Sequence, residues 1–419
     1  MDRFVIEGPT RLEGELAVGG AKNAVLPLMA AALLARGESV IENVPDLQDV
    51  RFFMTILEGL GARCALADHR LSIDTSALTG HEASYDLVRK MRASIYVLGP
   101  LLAAAGEARV SLPGGCAFGP RPVNLHIEGL EALGAEISLE GGYIHGVVPG
   151  GRLAGGRFRF EPSSVGGTCN VLMAAVLASG ESVLENCAVE PEVTQLVEAL
   201  IGAGARISGV GTTTLKIEGV EALAALAHTV IADRIEAGTI MAGVAMAGGR
   251  VRLTGVDCVH LHPVTAVLRE MGCTIDEGAG ELLIAADGRP APTEVITRPY
   301  PGFPTDMQAQ VMAACCVADG TSFLSETIYP DRFTHVAELQ RLGADIRVDG
   351  ARAAVFGVPQ LEGAPVMASD LRASAALVLA GVAAHGTTVV NRVYHIDRGY
   401  ERIEERLAAL GARIRREKG

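Results

Sequence analysis

Six times along this chain an amphipathic run closes on one phrase: Leu, two residues, an apolar residue, then Gly and a small residue. It reads Leu57-Glu58-Gly59-Leu60-Gly61-Ala62 first. It returns at Leu130–Ala135, Leu200–Ala205, Leu268–Cys273, Leu339–Ala344 and Leu407–Ala412, about 70 residues apart. The apolar spacing predicts a surface helix before each phrase, with the Gly placed as its C-cap. A short alternating stretch follows each one, as in Glu136-Ile137-Ser138-Leu139 or Asp345-Ile346-Arg347-Val348, and reads as a strand. Some 23 to 28 residues before each phrase's Gly lies another glycine: Gly37, Gly106, Gly180, Gly249, Gly320 and Gly386. β-rich runs such as Ser39–Asn43 and Ser182–Asn186 follow these glycines. Ala-rich helices, apolar nearly all round, precede them: Ala24–Leu34, Val171–Leu177, Gln308–Val317 and Arg372–Val382 among others. Helices of that kind are buried. Each unit therefore reads as buried helix, strand, surface helix, strand and hairpin. One such unit cannot cover both of its faces, so three pack together around their buried helices. The pattern predicts an α/β protein of two lobes with three units each, and a functional surface between the lobes, where pockets form.

At 419 residues the chain is too long for one ordinary core, and its 49% apolar content supplies material for two. There is no Trp, so the cores rest on Ala, Leu, Val and Ile. A net charge of −13 argues against nucleic acid and against acidic membrane surfaces. An anionic ligand must then be held by a local group of Arg and Lys. The eight cysteines are irregularly spaced, and Cys169, Cys315 and Cys316 sit in apolar helical patterns. That suits a reducing compartment and not a disulfide framework. Met1-Asp2-Arg3-Phe4 begins no signal peptide, and the longest apolar runs, Val25–Ala35 and Ala375–Ala384, are too short to span a bilayer. A cytoplasmic protein is the expectation.

The stretch Leu112-Pro113-Gly114-Gly115-Cys116-Ala117-Phe118-Gly119-Pro120-Arg121-Pro122 holds three glycines and three prolines, a density that neither helix nor central strand tolerates. It reads as a loop. Cys116 there has little steric cover and a guanidinium at Arg121, conditions that favour thiolate chemistry; on composition alone a tight turn with an incidental Cys is the commoner case. Gly19-Gly20-Ala21-Lys22-Asn23 precedes the first buried helix, whose N-terminus and Lys22 suit an anion. Met91-Arg92-Ala93-Ser94 and Leu371-Arg372-Ala373-Ser374 open the second and sixth buried helices with the same phrase. Each Arg is either a ligand for an anion or half of an ion pair, with Asp86 or Asp370 as partner. Arg398 lies between a strand and the last helix. Asp306, in Pro301-Gly302-Phe303-Pro304-Thr305-Asp306-Met307-Gln308, stands at the start of a buried helix and is either its cap or a general base. Cys258-Val259-His260-Leu261-His262 reads as a strand with both His on one face, but no third metal ligand is near. No phosphate-loop or dinucleotide glycine motif is present, so nucleotide hydrolysis and nicotinamide chemistry have no support.

These motifs, in this order, resemble the enolpyruvyl transferases. The likeness rests on Gly20–Asn23, Met91–Ile95, Ser111–Cys116 with Arg121-Pro122-Val123, Asp233–Glu236, Phe303–Gln310, Asp370–Ser374 and His395–Arg402, and it runs the length of the chain. The resemblance implies two inside-out α/β domains of three similar subdomains each. Residues 22–230 would form the domain with the Cys116 loop. Residues 1–21 and 231–419 would form the one with Asp306 and Arg398. It implies transfer of the enolpyruvyl group of phosphoenolpyruvate to the 3′-hydroxyl of UDP-N-acetylglucosamine, with release of phosphate, at the first committed step of peptidoglycan synthesis. The chemistry is addition then elimination, with no metal and no organic cofactor. The partners are those two small molecules, not nucleic acid or membrane, for a monomer or weak homo-oligomer.

By the same resemblance Cys116 is the acid, and can also attack phosphoenolpyruvate, while Asp306 takes the hydroxyl proton. Lys22, Asn23, Arg92, Arg121, Arg372 and Arg398 hold phosphoenolpyruvate. Asn23, Arg92, Arg121, Pro122, Val123, Asn124, Leu125, Ser164, Val165, Gly166, Asp306 and Ile328 hold the nucleotide sugar. The chain departs from its relatives at Asn124, where Asp is common, and near Glu161–Ser164, where some carry a Lys. The other readings are a transferase acting on shikimate 3-phosphate and a silent paralogue that only binds the nucleotide sugar. The Cys116 loop and Asn23 favour the nucleotide sugar, and intact Cys116, Asp306 and Arg398 favour catalysis.

Overall fold

Six helices have no polar face, and in the computed structural model five are interior while the remaining one, Leu98–Ala105, is buried over Leu98–Leu102. They are α1 (Lys22–Ala31), α2 (Leu98–Ala105), α3 (Val165–Ala175), α4 (Arg234–Ala247), α5 (Gln308–Cys315) and α6 (Leu371–Ala383). In α4 every residue from Ile235 to Met246 is buried, and in α6 every residue from Arg372 to Val382. A helix this uniformly apolar is stable only when other elements surround it. The structure describes residues 2–83, 85, 91–112 and 123–419, without the side chain of Arg92. The expectations for Cys116, Arg121 and Pro122, and for an Arg92–Asp86 pair, lie outside the described residues.

The chain forms two compact units. One is Met1–Gly19 with Ala232–Gly419; the other is the continuous segment Gly20–Ile231. Each has its own hydrophobic core. The continuous unit is built around α1, α2 and α3, the other around α4, α5 and α6. Each buried helix has one four-stranded sheet, giving six sheets of one design. In the first, Ala227–Thr229 runs parallel to Glu38–Glu42, which pairs antiparallel with Arg70–Asp74, itself hairpin partner of Arg63–Ala67. Val40 lies opposite Ala227 on one side and Ser72 on the other.

The phrase glycines do what their position requires. Gly61, Gly134, Gly204, Gly272, Gly343 and Gly411 all have φ between +90° and +104°, the left-handed region that ends a surface helix and that a Cβ disfavours. One element per sheet is new. The fourth strand is a short parallel one just ahead of a buried helix, such as Arg157–Arg159 or Glu294–Ile296. Three residues are too few to show an alternating pattern.

The sixth sheet is completed by the start of the chain. Arg3–Gly8 lies between Gly386–Asn391 and Arg413–Glu417, so Arg3 faces Asn391 on one side and Glu417 on the other. Leu12–Ala17 likewise supplies the parallel edge strand beside Gly249–Thr254.

The Cys258–His262 stretch is not a strand. Asp257 accepts the Val259 N–H and caps a 3-10 turn over Cys258–Leu261, and Pro263 sits in the first turn of the helix His262–Glu270. The two imidazoles part company: His260 is 3.6 Å from Asp257 and His262 is 3.6 Å from Glu277. Among the described residues no group of three or more His, Cys, Asp or Glu could hold a metal, and no helix is long and apolar enough to cross a membrane.

Candidate active site

In the discontinuous unit the functional residues gather at the N-terminal ends of α5 and α6. Pro304 directs the chain into a 3-10 turn, Thr305–Met307, that runs directly into α5. Asp306 sits in this turn. Its carboxylate receives two guanidiniums. Arg332 Nη2 donates to Oδ1 at 2.9 Å, and Arg372 Nε to Oδ2 at 3.4 Å.

The expected pairing of Arg372 with Asp370 is corrected by this geometry. Asp370 is the cap of α6, accepting the N–H groups of Arg372 and Ala373 at 3.0 Å each. That leaves the Arg372 side chain for Asp306. Arg372 is fully buried, with Tyr400 stacked 5.1 Å from its guanidinium carbon. Its two terminal nitrogens have no hydrogen-bond acceptor among the described residues. A desolvated cation with unused donors is costly unless an anion meets it.

Sequence reasoning missed Arg332 and the residue that organises its loop, Glu326. The Glu326 carboxylate is buried and accepts from four groups: the hydroxyls of Thr297 and Thr305 and the N–H groups of Ile328 and Tyr329 all lie within 2.9 Å. Arg332 Nη1 donates to Thr305 Oγ1 at 2.8 Å, so the loop carrying Ile328 and Arg332 is tied to the turn carrying Asp306. Burial, reinforced by the charge of Arg332, pushes His335 down to about 3, and it stays neutral. Tyr400 closes the cluster from the other side: its hydroxyl lies 2.8 Å from Thr239 Oγ1 and accepts from Gln310 Nε2 at 3.2 Å. Arg398 stands two residues before it, in the turn between Val393–His395 and the helix Ile403–Ala409.

In the continuous unit, Lys22 opens α1 and Asn23 follows it. Lys22 is largely buried and its ammonium is 2.7 Å from Asp49, in the first turn of the helix Gln48–Gly59. Gly20 is required just ahead: a Cβ there would lie 1.8 Å from the carbonyl oxygen of Asn43.

Of the residues expected to meet the nucleotide sugar, those at 123–125 and 164–166 converge on His126 and Asn170. Val123 precedes, and Asn124 and Leu125 open, the helix Asn124–Ala132; Asn124 donates to Glu128 at 3.3 Å. Ser164 caps α3 by accepting the Gly167 N–H at 3.1 Å, and Val165 and Gly166 begin the helix. A Cβ on Gly166 would come within 3.2 Å of the His126 ring. Asn170 then joins three segments. It donates to His126 Nδ1 at 2.9 Å and to the Ile95 carbonyl at 3.0 Å, and it accepts the Gly99 N–H at 2.6 Å. The residues 123–125, 164–166 and the turn begun by Arg92 thereby share one buried polar anchor. Burial pushes His126 down to about 4, so the ring that accepts from Asn170 is neutral.

Every described cysteine is pushed away from the thiolate. Burial pushes Cys64 and Cys187 up to about 12 and Cys273 and Cys315 to about 11, and it raises Cys169, Cys258 and Cys316 as well.

In each unit three buried helices are covered by three like sheets, and in the discontinuous unit a carboxylate stands between two guanidiniums. A profile of the family EPSP synthase (3-phosphoshikimate 1-carboxyvinyltransferase) matches residues 6–407, and the chain belongs to that family of enolpyruvyl transferases. It is 57% identical, over the full length of both chains, to a UDP-N-acetylglucosamine 1-carboxyvinyltransferase of Anaeromyxobacter sp. (strain Fw109-5). To the protein of the same name from Psychrobacter sp. (strain PRwf-1) it is 52% identical, over 99% of this chain and 96% of that one. Among solved structures, the enolpyruvyl transferase NikO from Streptomyces tendae superposes with a TM-score of 0.90 at 28% identity, covering 100% of this chain and 99% of that one. An EPSP synthase from Acinetobacter baumannii reaches 0.76 at 17% identity over the whole of both chains, a likeness of fold alone.

Proposed function

We infer that this chain transfers the enolpyruvyl group of phosphoenolpyruvate to the 3′-hydroxyl of UDP-N-acetylglucosamine and releases phosphate, the reaction that commits the sugar to peptidoglycan. The observation that carries the reading within the molecule is the Asp306 carboxylate, held by Arg332 and by a buried Arg372 with unused donors. The acceptor follows from the full-length relatives above 50% identity, whose name specifies the nucleotide sugar.

The chemistry needs one acid, one base and several cations. The hydroxyl oxygen attacks C2 of phosphoenolpyruvate while its proton passes to Asp306, which as a carboxylate is a pure acceptor and can orient the O–H before taking its proton. The C3 methylene receives a proton from Cys116, giving a tetrahedral ketal. In the second step the Cys116 thiolate takes a proton back from C3, the bond between C2 and the phosphate oxygen breaks, and the C2–C3 double bond re-forms in the group now joined to the sugar. Lys22, Arg92, Arg121, Arg372 and Arg398 bind the carboxylate and phosphate of phosphoenolpyruvate and stabilise phosphate as it leaves. Asn23, Val123, Asn124, Leu125, Ser164, Val165, Gly166 and Ile328, with Arg121 and Pro122, hold the nucleotide sugar. Burial raises the seven described thiols, which supports giving the acid role to Cys116 rather than to one of them.

The test is phosphate release from phosphoenolpyruvate with each candidate acceptor. Release is expected with UDP-N-acetylglucosamine and not with shikimate 3-phosphate. Turnover with the latter, or silence with both, would overturn the reading.

A further inference from the structure

The turn that carries Arg398 is fixed at three neighbouring points. Tyr400 is bonded to Thr239 and Gln310. Gly399 packs on Leu371 so closely that a Cβ would fall 2.5 Å from its Cδ1. Asp397, immediately before Arg398, takes a two-pronged hydrogen bond from Arg416, Nη1 to Oδ2 at 3.0 Å and Nη2 to Oδ1 at 2.5 Å.

Arg416 comes from far away in the chain, on the strand Arg413–Glu417 where it pairs with Phe4. It is itself held firmly. Its Nε donates to the buried Glu404 at 2.6 Å, Asp2 is 3.5 Å away, and the Phe4 ring lies 5.0 Å beneath the guanidinium carbon. An exposed ion pair fixes little, but a forked, partly buried one sets an orientation as well as a distance.

We propose that Arg416 is a positioning residue for enolpyruvyl transfer: through its fork on Asp397 it holds the 396–400 turn so that Arg398 meets phosphoenolpyruvate. The inference rests on Arg398 being a phosphoenolpyruvate ligand, as proposed above. A residue that only fastened the last strand would affect both substrates and would act whether or not Arg398 was present. A positioning residue acts on one substrate and only through Arg398.

The experiment uses the full chain with R416Q, R416K, D397N, R398A and the double variant R416Q/R398A. It measures kcat and KM for phosphoenolpyruvate and for UDP-N-acetylglucosamine, with calorimetric binding of the nucleotide sugar as the check on folding. R416Q is expected to lower kcat/KM for phosphoenolpyruvate about tenfold while KM for the nucleotide sugar stays within about twofold. R416K recovers part of the loss, since an ammonium keeps the charge without the fork. Adding R416Q to R398A costs nothing further, because coupled residues are not additive. Equal losses for both substrates, or a full further loss on the R398A background, would overturn the inference. Should R416Q fail to fold, D397N cuts the same pair and carries the same comparison. If R398A hurts phosphoenolpyruvate and neither R416Q nor D397N does, this inference alone is wrong. If R398A itself leaves phosphoenolpyruvate untouched, the reading of Arg398 falls and takes this one with it.

Discussion

A general acid must hold its proton near neutral pH and still release it. An ordinary thiol, near 8.5, does so with modest help from neighbouring cations, whereas a serine hydroxyl is far too weak an acid. Cys116→Ser is therefore expected to abolish nearly all turnover. Cys116→Asp should keep a measurable part, with its optimum moved to lower pH, because a carboxylic acid near 4 is protonated only as pH falls. Turnover against pH for both variants checks this; a fully active serine variant would remove Cys116 from the mechanism. At this scale the sequence displayed residue types but not partners. Asp306 was legible as a cap or a base, and the structure shows its carboxylate between two guanidiniums. Its partners Arg332 and Arg372 lie 26 and 66 residues further on. No local pattern encodes a pairing that the packing of α5 against α6 brings about.

Elements were most legible where one physical cause dominated. Uniform apolarity marked the six buried helices, and a Gly after a fading apolar stripe marked the ends of the surface helices. Short segments were not legible: three-residue edge strands carry no period, and Cys258–His262 alternated like a strand until Asp257 and Pro263 made it a helix start. The element joint at His126 has a measurable consequence. An unfolded His titrates near 6.5, and burial holds His126 near 4, so between these values the unfolded chain binds the extra proton. Stability is present above about 6.5 and drains away as pH falls toward 4, by up to about 1.4 kcal/mol per pH unit for one such His. His335 acts in the same direction. His126→Gln should be less stable at pH 7 yet lose less on acidification, read as the thermal midpoint from pH 7 to pH 4.5. An unchanged slope would show that His126 does not contribute.

For the whole molecule, chain order and structural completeness do not coincide. Residues 20–231 contain three full sheets and their own core. Residues 232–419 lack Arg3–Gly8 and Leu12–Ala17, which fill one sheet's interior and another's edge. Expressed alone, 20–231 is expected to unfold in one cooperative transition. The 232–419 fragment should not fold until residues 1–19 are joined after Gly419, where Glu417 already faces Arg3. Circular dichroism with chemical denaturation would decide it; a cooperative 232–419 fragment would show that Arg3–Gly8 is dispensable.

By itself the sequence determined the α/β class, six like subdomains, the buried helices and the residue types able to handle an anion. Each of these follows from local spacing, glycine conformation or side-chain chemistry. Only the tertiary structure decided that the N-terminal strand closes the last sheet, that Glu326 and Asn170 anchor their loops, and that Asp306 stands between Arg332 and Arg372. Those choices depend on which distant groups meet once apolar surface is buried. A buried charge or amide must then find partners among whatever the packing brings within reach.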